Sequence, residues 1–307
     1  MILSQPTRRA RTVTSAGSTG LLIPHHLSGA SRSGKGVLDL DAPLTKYTAR
    51  RVTSDPRVEL ITARHVLNHT TGFPNWRQGK ELPIEFTPGS RNQYSGEGFS
   101  YLQAVVEEIT GKSFVDFMNN DVLKPLGMTS SRVGFKYGPD HDYAKPVARR
   151  HDQNGKRIPD NPVTPEKHAE DIARYGAAAA LMTTPSDYAT FLLEYLDPKP
   201  GDAYRLSEAK RAEMLRPQIK KTDNTWEGLA WHLEQFEGLP LLFSHAGQDA
   251  GYYCLCGASA ERRSGLMVML NGDTYVPFLM KMLGNPALPE LGPDKLWPDF
   301  AKRFFAA

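Results

Sequence analysis

A few residue pairs in this 307-residue sequence have the types and spacing to do chemistry. His65 and His69 stand four apart, the separation that places two imidazoles on one helix face and can hold zinc. Position 66 is Val, not the acid that makes such a pair hydrolytic, and no third ligand is near. The two histidines are therefore expected to be structural, with no bound metal. Ser207-Glu-Ala-Lys210 spaces a hydroxyl and an amine by one helical turn, the arrangement in which a lysine can help to take a serine proton. It also opens a segment carrying Ala212, Met214 and Leu215, so Ser207 reads as a helix cap with Lys210 on the solvated first turn. Ser95, next to Tyr94, could be a substitute nucleophile but reads better as a turn hydroxyl satisfying nearby backbone. Ser244 precedes His245 in a strand-like run, where alternation sends the two side chains to opposite faces and prevents a direct Ser–His pair. Cys254 and Cys256 lie two apart in an apolar run and are expected to be small buried hydrophobes.

The elements that must position these residues are legible from period and punctuation. Thr62 caps a short helix through Val66 and Leu67 that is expected to stop at Gly72. Pro88-Gly89 marks a turn ahead of Tyr94-Ser95-Gly96, after which Phe99, Leu102, Val106 and Ile109 recur at helical spacing up to Gly111. Ser113 begins a second helix closed by Pro125 and Gly127. From 135 to 175 the chain is polar and carries five prolines, Pro139, Pro146, Pro159, Pro162 and Pro165, which predicts a long surface excursion. Thr184-Pro185-Ser186-Asp187 starts another helix, its buried face supplied by Tyr188, Phe191, Leu192, Tyr195 and Leu196. Beyond Gly228 the period becomes strand-like: 228–234, 241–245, 252–256 and 266–270 read as an antiparallel meander, with 260–265 as a hairpin. Trp297, Phe300, Ala301, Phe304 and Phe305 form a final amphipathic helix over one sheet face. The fold class is α+β: residues 1–36 with little packed structure, a mostly helical region 37–225, and a sheet with its covering helix in 226–307.

Composition narrows the function. Hydrophobic residues make up 40% and charged residues 23%, values of a globular chain. The net charge of +3 is misleading as a total. Residues 1–38 hold five basic side chains and no acid, and the remaining 32 Lys and Arg face 34 Asp and Glu, leaving the body at −2. A nucleic-acid partner would rest on the first segment alone and is not expected. No apolar run reaches the ~20 residues of a membrane helix and no signal-peptide core follows Met1, so the expected setting is the cytoplasm, without a membrane partner.

From Val37 onward the sequence resembles the serine β-lactamase-like hydrolases: class C β-lactamases, D-alanyl-D-alanine carboxypeptidases and related carboxylesterases. Leu38-Asp-Leu-Asp-Ala-Pro43, Arg64-His-Val-Leu-Asn-His-Thr-Thr-Gly72, Pro88-Gly-Ser-Arg-Asn-Gln-Tyr-Ser-Gly96, Leu123-Lys-Pro-Leu-Gly-Met128 and Phe243-Ser-His-Ala-Gly247 follow the family's segments in order and spacing. The resemblance implies a β-lactamase/transpeptidase-like fold and acyl transfer from a serine to water, with no cofactor and a small ester or amide as substrate. It implies Tyr94 as the acid/base tyrosine and His245 where many relatives carry lysine. Ser95, Gly96, Ala246, Gly247 and Gln248 would line the substrate, the Gln248 amide serving as one oxyanion donor, a contribution of ~3 kcal/mol in comparable sites.

Two departures from the family pattern bear on function. Gly96 stands where lactam-cleaving members usually have Asn, and His245 replaces lysine; both favour an ester over a β-lactam or peptide. The nucleophile helix is expected some 17 to 20 residues before Leu38-Asp-Leu-Asp41, which points to Ser15 and Ser18, yet neither is followed by the family's lysine. The alternative is a catalytically silent or binding member, or one whose amino-terminal strands and nucleophile helix are lost or frame-shifted, leaving a sheet edge exposed.

Overall fold

Hydroxyl side chains decide where the helices begin. Thr62, Ser95, Ser113, Thr164, Thr184 and Ser207 each accept a backbone N–H from the first turn of the helix they precede. The helices are α1 (Ala63–Leu67), α2 (Gly96–Thr110), α3 (Phe114–Asp116), α4 (Pro165–Ala179), α5 (Pro185–Leu196) and α6 (Glu208–Met214). A π-helical turn, Phe117–Leu123, continues α3. These elements belong to a computed structural model that describes residues 38–79, 81–134, 147–159, 163–199 and 206–274, the backbone of Thr12–Val13, and Phe305. Among the described residues no helix is long and apolar enough to cross a membrane.

Two antiparallel sheets accompany the helices. The strands are β1 (Thr12–Val13), β2 (Arg132–Val133), β3 (Leu181–Thr183), β4 (Ile219–Lys220), β5 (Thr225–Glu227), β6 (His232–Glu234), β7 (Leu242–Asp249), β8 (Tyr252–Ser259) and β9 (Ser264–Leu270). The small sheet runs β1-β3-β2 and the large one β4-β5-β6-β7-β8-β9, a meander. The α+β, β-lactamase/transpeptidase-like architecture expected from the sequence is present.

The core joins the sheet to α5. Trp231, fully buried, lies stacked on Phe191 with centroids 6.1 Å apart and meets Tyr195 and Phe243 edge-on at 5.3 Å and 4.8 Å. Helices α2 and α4 approach closely because Gly176 has no side chain; a Cβ there would come within 2.7 Å of the Gln103 amide oxygen. That buried amide is satisfied at both ends, its oxygen accepting from the Ala177 N–H at 2.9 Å and its nitrogen donating to the Ile172 carbonyl at 3.1 Å.

Several boundaries differ from the sequence expectation. The end of the supposed excursion is α4: Pro165 sits at the first helical position behind the Thr164 cap, where a missing N–H carries no penalty, so it starts structure instead of interrupting it. Helix α1 ends at Leu67 rather than running to Gly72, because His69 adopts a left-handed backbone with φ of 56°. The large sheet starts at Ile219, and the run 228–234 yields only three strand residues because Ala230, at φ of 64°, bends the chain. Of the expected terminal helix, Phe305 is buried, while Trp297, Phe300, Ala301 and Phe304 lie outside the described residues.

Trp231→Ala should remove about 3–5 kcal/mol of stability by emptying the junction between α5 and the sheet. The measurement is the urea midpoint of the variant against the parent, and a Tyr195→Phe control should change it far less.

Candidate functional site

A cleft of about 490 Å³ opens between the segment that follows α1 and the face of β5 to β8. Tyr94 and His245 both line it, together with His69, Glu227, His232 and Tyr253. One wall is a strand edge. Strand β6 pairs with β7 only over Leu242–Ser244, whereas β8 pairs with β7 over Phe243–Asp249. From His245 to Asp249, therefore, β7 has no second strand neighbour among the described residues, and His245 and Ala246 of this stretch line the cleft.

Of the expected site residues, all but Ser15 and Ser18 fall within the described residues. Tyr94, 40% exposed, reaches the cleft from the loop before α2. His245 is half-buried on β7 with its Nδ1 enclosed and without a hydrogen-bond partner among the described residues. Ala246 is exposed on the cleft wall, Gly247 is buried opposite Cys254, and Gln248 is exposed opposite Tyr253. Ser95 and Gly96 do not face substrate space. The Ser95 hydroxyl donates to the Pro74 carbonyl at 2.9 Å and accepts the Gly98 N–H at 3.1 Å, so it is a helix cap with no free hydrogen-bonding role. At Gly96 a Cβ would lie 2.4 Å from the Trp76 ring, and its N–H is taken by Asn75 Oδ1 at 2.9 Å. Both are supports for the wall. Ser15 and Ser18 lie outside the described residues. Ser207 is the cap of α6, accepting the Lys210 N–H.

The zinc-like spacing of His65 and His69 dissolves in three dimensions, since α1 has ended before His69. His65 stays on the helix, its Nδ1 against the Leu60 carbonyl at 3.1 Å. His69 is turned into the cleft instead. Tyr252 and Tyr253 separate as strand alternation requires: Tyr253 lines the cleft, and Tyr252 packs against Met182 with its hydroxyl on the Ala148 carbonyl.

Sequence reasoning missed a charged cluster in the same cleft. Lys221 Nζ lies 2.7 Å from Glu227 Oε1, and His232 stands between two buried carboxylates, Nδ1 at 3.3 Å from Glu227 and Nε2 at 3.4 Å from Glu234. Cross-strand register creates this group, because Glu227 on β5 faces His232 on β6. The polar-apolar-polar order of His232-Leu233-Glu234 was the one local signal that two ionisable side chains share a face.

Burial and neighbours set opposite protonation states within one site. Burial first, then the field of His69, pushes His245 down to about 4. Burial likewise takes His69 down to about 4. Burial also opposes the charged form of His232, but the bonds to Glu227 and Glu234 outweigh it and hold this residue up at about 9. Glu227 would be raised by burial, yet His232 and Lys221 bring it down to about 2. Enclosure by protein, with Glu227 adding to it, raises the Tyr94 phenol, by less than a closed core would because 40% of the residue meets solvent. At neutral pH the cleft thus presents two neutral imidazoles and a neutral phenol beside an ionised Glu227–His232 pair.

The α+β fold, with Tyr94 and His245 lining one cleft, has the architecture of the serine β-lactamase-like hydrolases. The Beta-lactamase family model matches residues 30–283, and the chain belongs to that family. It is 29% identical to Esterase EstB of Burkholderia gladioli over 143 residues, 36% of each chain. It is 23% identical to Penicillin-binding protein 4 of Amycolatopsis lactamdurans over 242 residues, 71% of this chain and 61% of that protein. The fold matches the crystal structure of a penicillin binding protein from Bacillus halodurans with a TM-score of 0.67 at 18% identity, covering 89% of this chain and 86% of that one. Matches to the curated relatives span between about a fifth and six tenths of their own length.

These protonation states give stability a defined pH dependence. His69 and His245 contribute fully above pH 6.5 and progressively less as pH falls toward 4, where the unfolded chain takes up protons that the folded one refuses. His232 contributes fully below pH 6.5 and loses its share as pH rises through 9. The melting temperature should therefore peak near about pH 6–7. His232→Gln should flatten the alkaline limb and His245→Gln the acid limb, as read by calorimetry across pH 4 to 10.

Proposed function

We propose that this chain is an acyl-transfer hydrolase of small esters, with its reaction centred between Tyr94 and His245. The observation that carries the reading is that these two residues, more than 150 positions apart in sequence, line one cleft. In such a site a serine hydroxyl attacks the ester carbonyl, its proton leaves through a neighbouring base, and the alcohol departs with a proton in return. Neutral His245 and Tyr94 are the groups in the cleft suited to pass that proton, and an outward backbone N–H near Gln248 would stabilise the oxyanion. Ser15 and Ser18 are the proposed nucleophile positions.

Ester preference follows from charge and space. An uncharged His245 offers a hydrogen bond but no fixed cation, which suits a neutral ester better than a substrate bearing a carboxylate. The space beside Gly96, where a side chain could hold a substrate amide, is filled by Trp76. The esterase name of one relative agrees with this reading.

A second reading, a silent member that binds ligands in the same cleft, is favoured by one observation: the single Ser-x-x-Lys of the sequence is the cap of α6. Intact-mass analysis after treatment with a fluorophosphonate separates the two, alongside p-nitrophenyl acetate turnover. One stoichiometric adduct on a serine, with turnover that drops roughly a hundredfold or more in Tyr94→Phe, supports the hydrolase. No adduct and no turnover supports the silent reading, and unchanged turnover in Tyr94→Phe removes that residue from the mechanism.

A further inference from the structure

His69 holds the segment around Tyr94 through three separate groups. Its carbonyl accepts the Gln93 N–H at 2.7 Å. Its ring Nδ1 accepts the Ser95 N–H at 3.2 Å. Its ring plane lies against the Tyr94 ring, centroids 4.3 Å apart and tilted by 33°, and backs onto Phe99 at 5.4 Å. The residue before Tyr94, the residue after it and the phenol ring itself are all fixed on one side chain and its own carbonyl.

The backbone conformation that allows this is unfavourable. A non-glycine residue at φ of 56° costs about 1 kcal/mol or more, although histidine is among the residues that tolerate it best. Without the left-handed turn the ring would remain on the α1 face with His65. With it, the ring enters the cleft, where strain held by surrounding structure commonly serves function.

We propose that His69 is a positioning residue for Tyr94, its ring serving as both the anchor of the Ser95 amide and the surface that fixes the phenol at the cleft. This rests on the hydrolase reading only for its consequence in catalysis; the positioning stands on geometry alone. Because Nδ1 accepts a hydrogen bond, the ring proton resides on Nε2. Glu227 from β5, Lys221 from the turn after β4 and His245 from β7 are the charged or titratable groups that act on the ring. Burial, stronger than their fields, keeps the ring neutral down to about pH 4.

The test labels the full chain with 3-fluorotyrosine and identifies the Tyr94 fluorine resonance by its loss in Tyr94→Phe. His69→Asn tolerates the left-handed backbone but removes the ring surface. In that variant the Tyr94 resonance should move toward the position of free fluorotyrosine, and its titration midpoint should fall by roughly half a pH unit or more. Turnover of p-nitrophenyl acetate should lose roughly tenfold in kcat with KM little changed, the pattern of a displaced reacting group. An unmoved resonance and midpoint in the folded variant overturn the proposal. If His69→Asn does not fold, the nitrogen-15 spectrum of the parent protein decides instead: a bare Nδ1 with a protonated Nε2 on His69 is expected, and a protonated Nδ1 overturns it. Should the parent lack turnover altogether, the hydrolase reading fails while the fluorine measurement still judges His69.

Discussion

One backbone hydrogen bond, from the Ala230 N–H to the Leu67 carbonyl at 2.7 Å, ties the end of α1 directly to the turn that leads into β6, at the base of the two segments that line the cleft. Leu67 is the last residue of α1, and His69 follows two positions later. Ala230 ends the turn after β5, and His232 follows two positions later. Anchoring Leu67 to Ala230 therefore sets the two histidines on facing walls. The same turn is held from a second side, where the Leu229 N–H donates to the Met214 carbonyl at 3.0 Å, and Gly228 leaves that carbonyl 2.4 Å from where a Cβ would stand. A tightly pinned turn cannot also continue as strand. This is why β6 is short, and a short β6 is why its pairing with β7 stops at Ser244.

Charge in the cleft is arranged so that each ionised group is compensated locally. Isolated buried carboxylates would neutralise themselves by taking up protons. Glu227 remains ionised because Lys221 and His232 both reach the same oxygen, and His232 can serve two carboxylates only by keeping protons on both ring nitrogens. That pairing confines the field. His69 and His245, a few side chains away, are governed first by burial and stay neutral. The site thereby keeps hydrogen-bonding groups of low charge along the open strand edge while its far wall is held by an ion-paired network.

How far the sequence could be read follows from which interactions are local. Caps are local, and Thr62, Ser113, Thr184 and Ser207 were visible as hydroxyls before helical runs, whereas Ser95, read as a turn hydroxyl, is the cap of α2. Parts of the long strands β7, β8 and β9 were visible because short apolar runs bounded by turns can be read without knowledge of partners. Pro165 misled because proline punctuates both a loop and the first turn of a helix, and only the Thr164 cap tells them apart. The Lys221-Glu227-His232-Glu234 group was invisible because strand register, not spacing, assembles it. The shared helix face of His65 and His69 failed for a related reason: i, i+4 logic assumes a helix, and one left-handed residue cancels it. Tyr94 and His245 were found through family segments that preserve order, whereas the hydrogen-bonding commitments of Ser95 and Gly96 appear only once Pro74, Asn75 and Trp76 are folded beside them.

The glycine at 96 shows how a substitution at a site becomes a property of its surroundings. A missing side chain in a cleft usually means added room. Here the Trp76 ring lies where the first carbon of any side chain would go, and Tyr175 closes on that ring edge-on with centroids 4.8 Å apart. The amide and carboxylate nearby are committed too: Arg77 pairs with the buried Glu97 at 2.5 Å, and Asn75 holds both the Gly96 N–H and, through its carbonyl, the Glu97 N–H. The start of α2 is thus locked from the 74–77 segment by aromatic packing and ionic bonds together. A side chain at position 96 is consequently incompatible with the Trp76 packing that locks the start of the helix Tyr94 precedes.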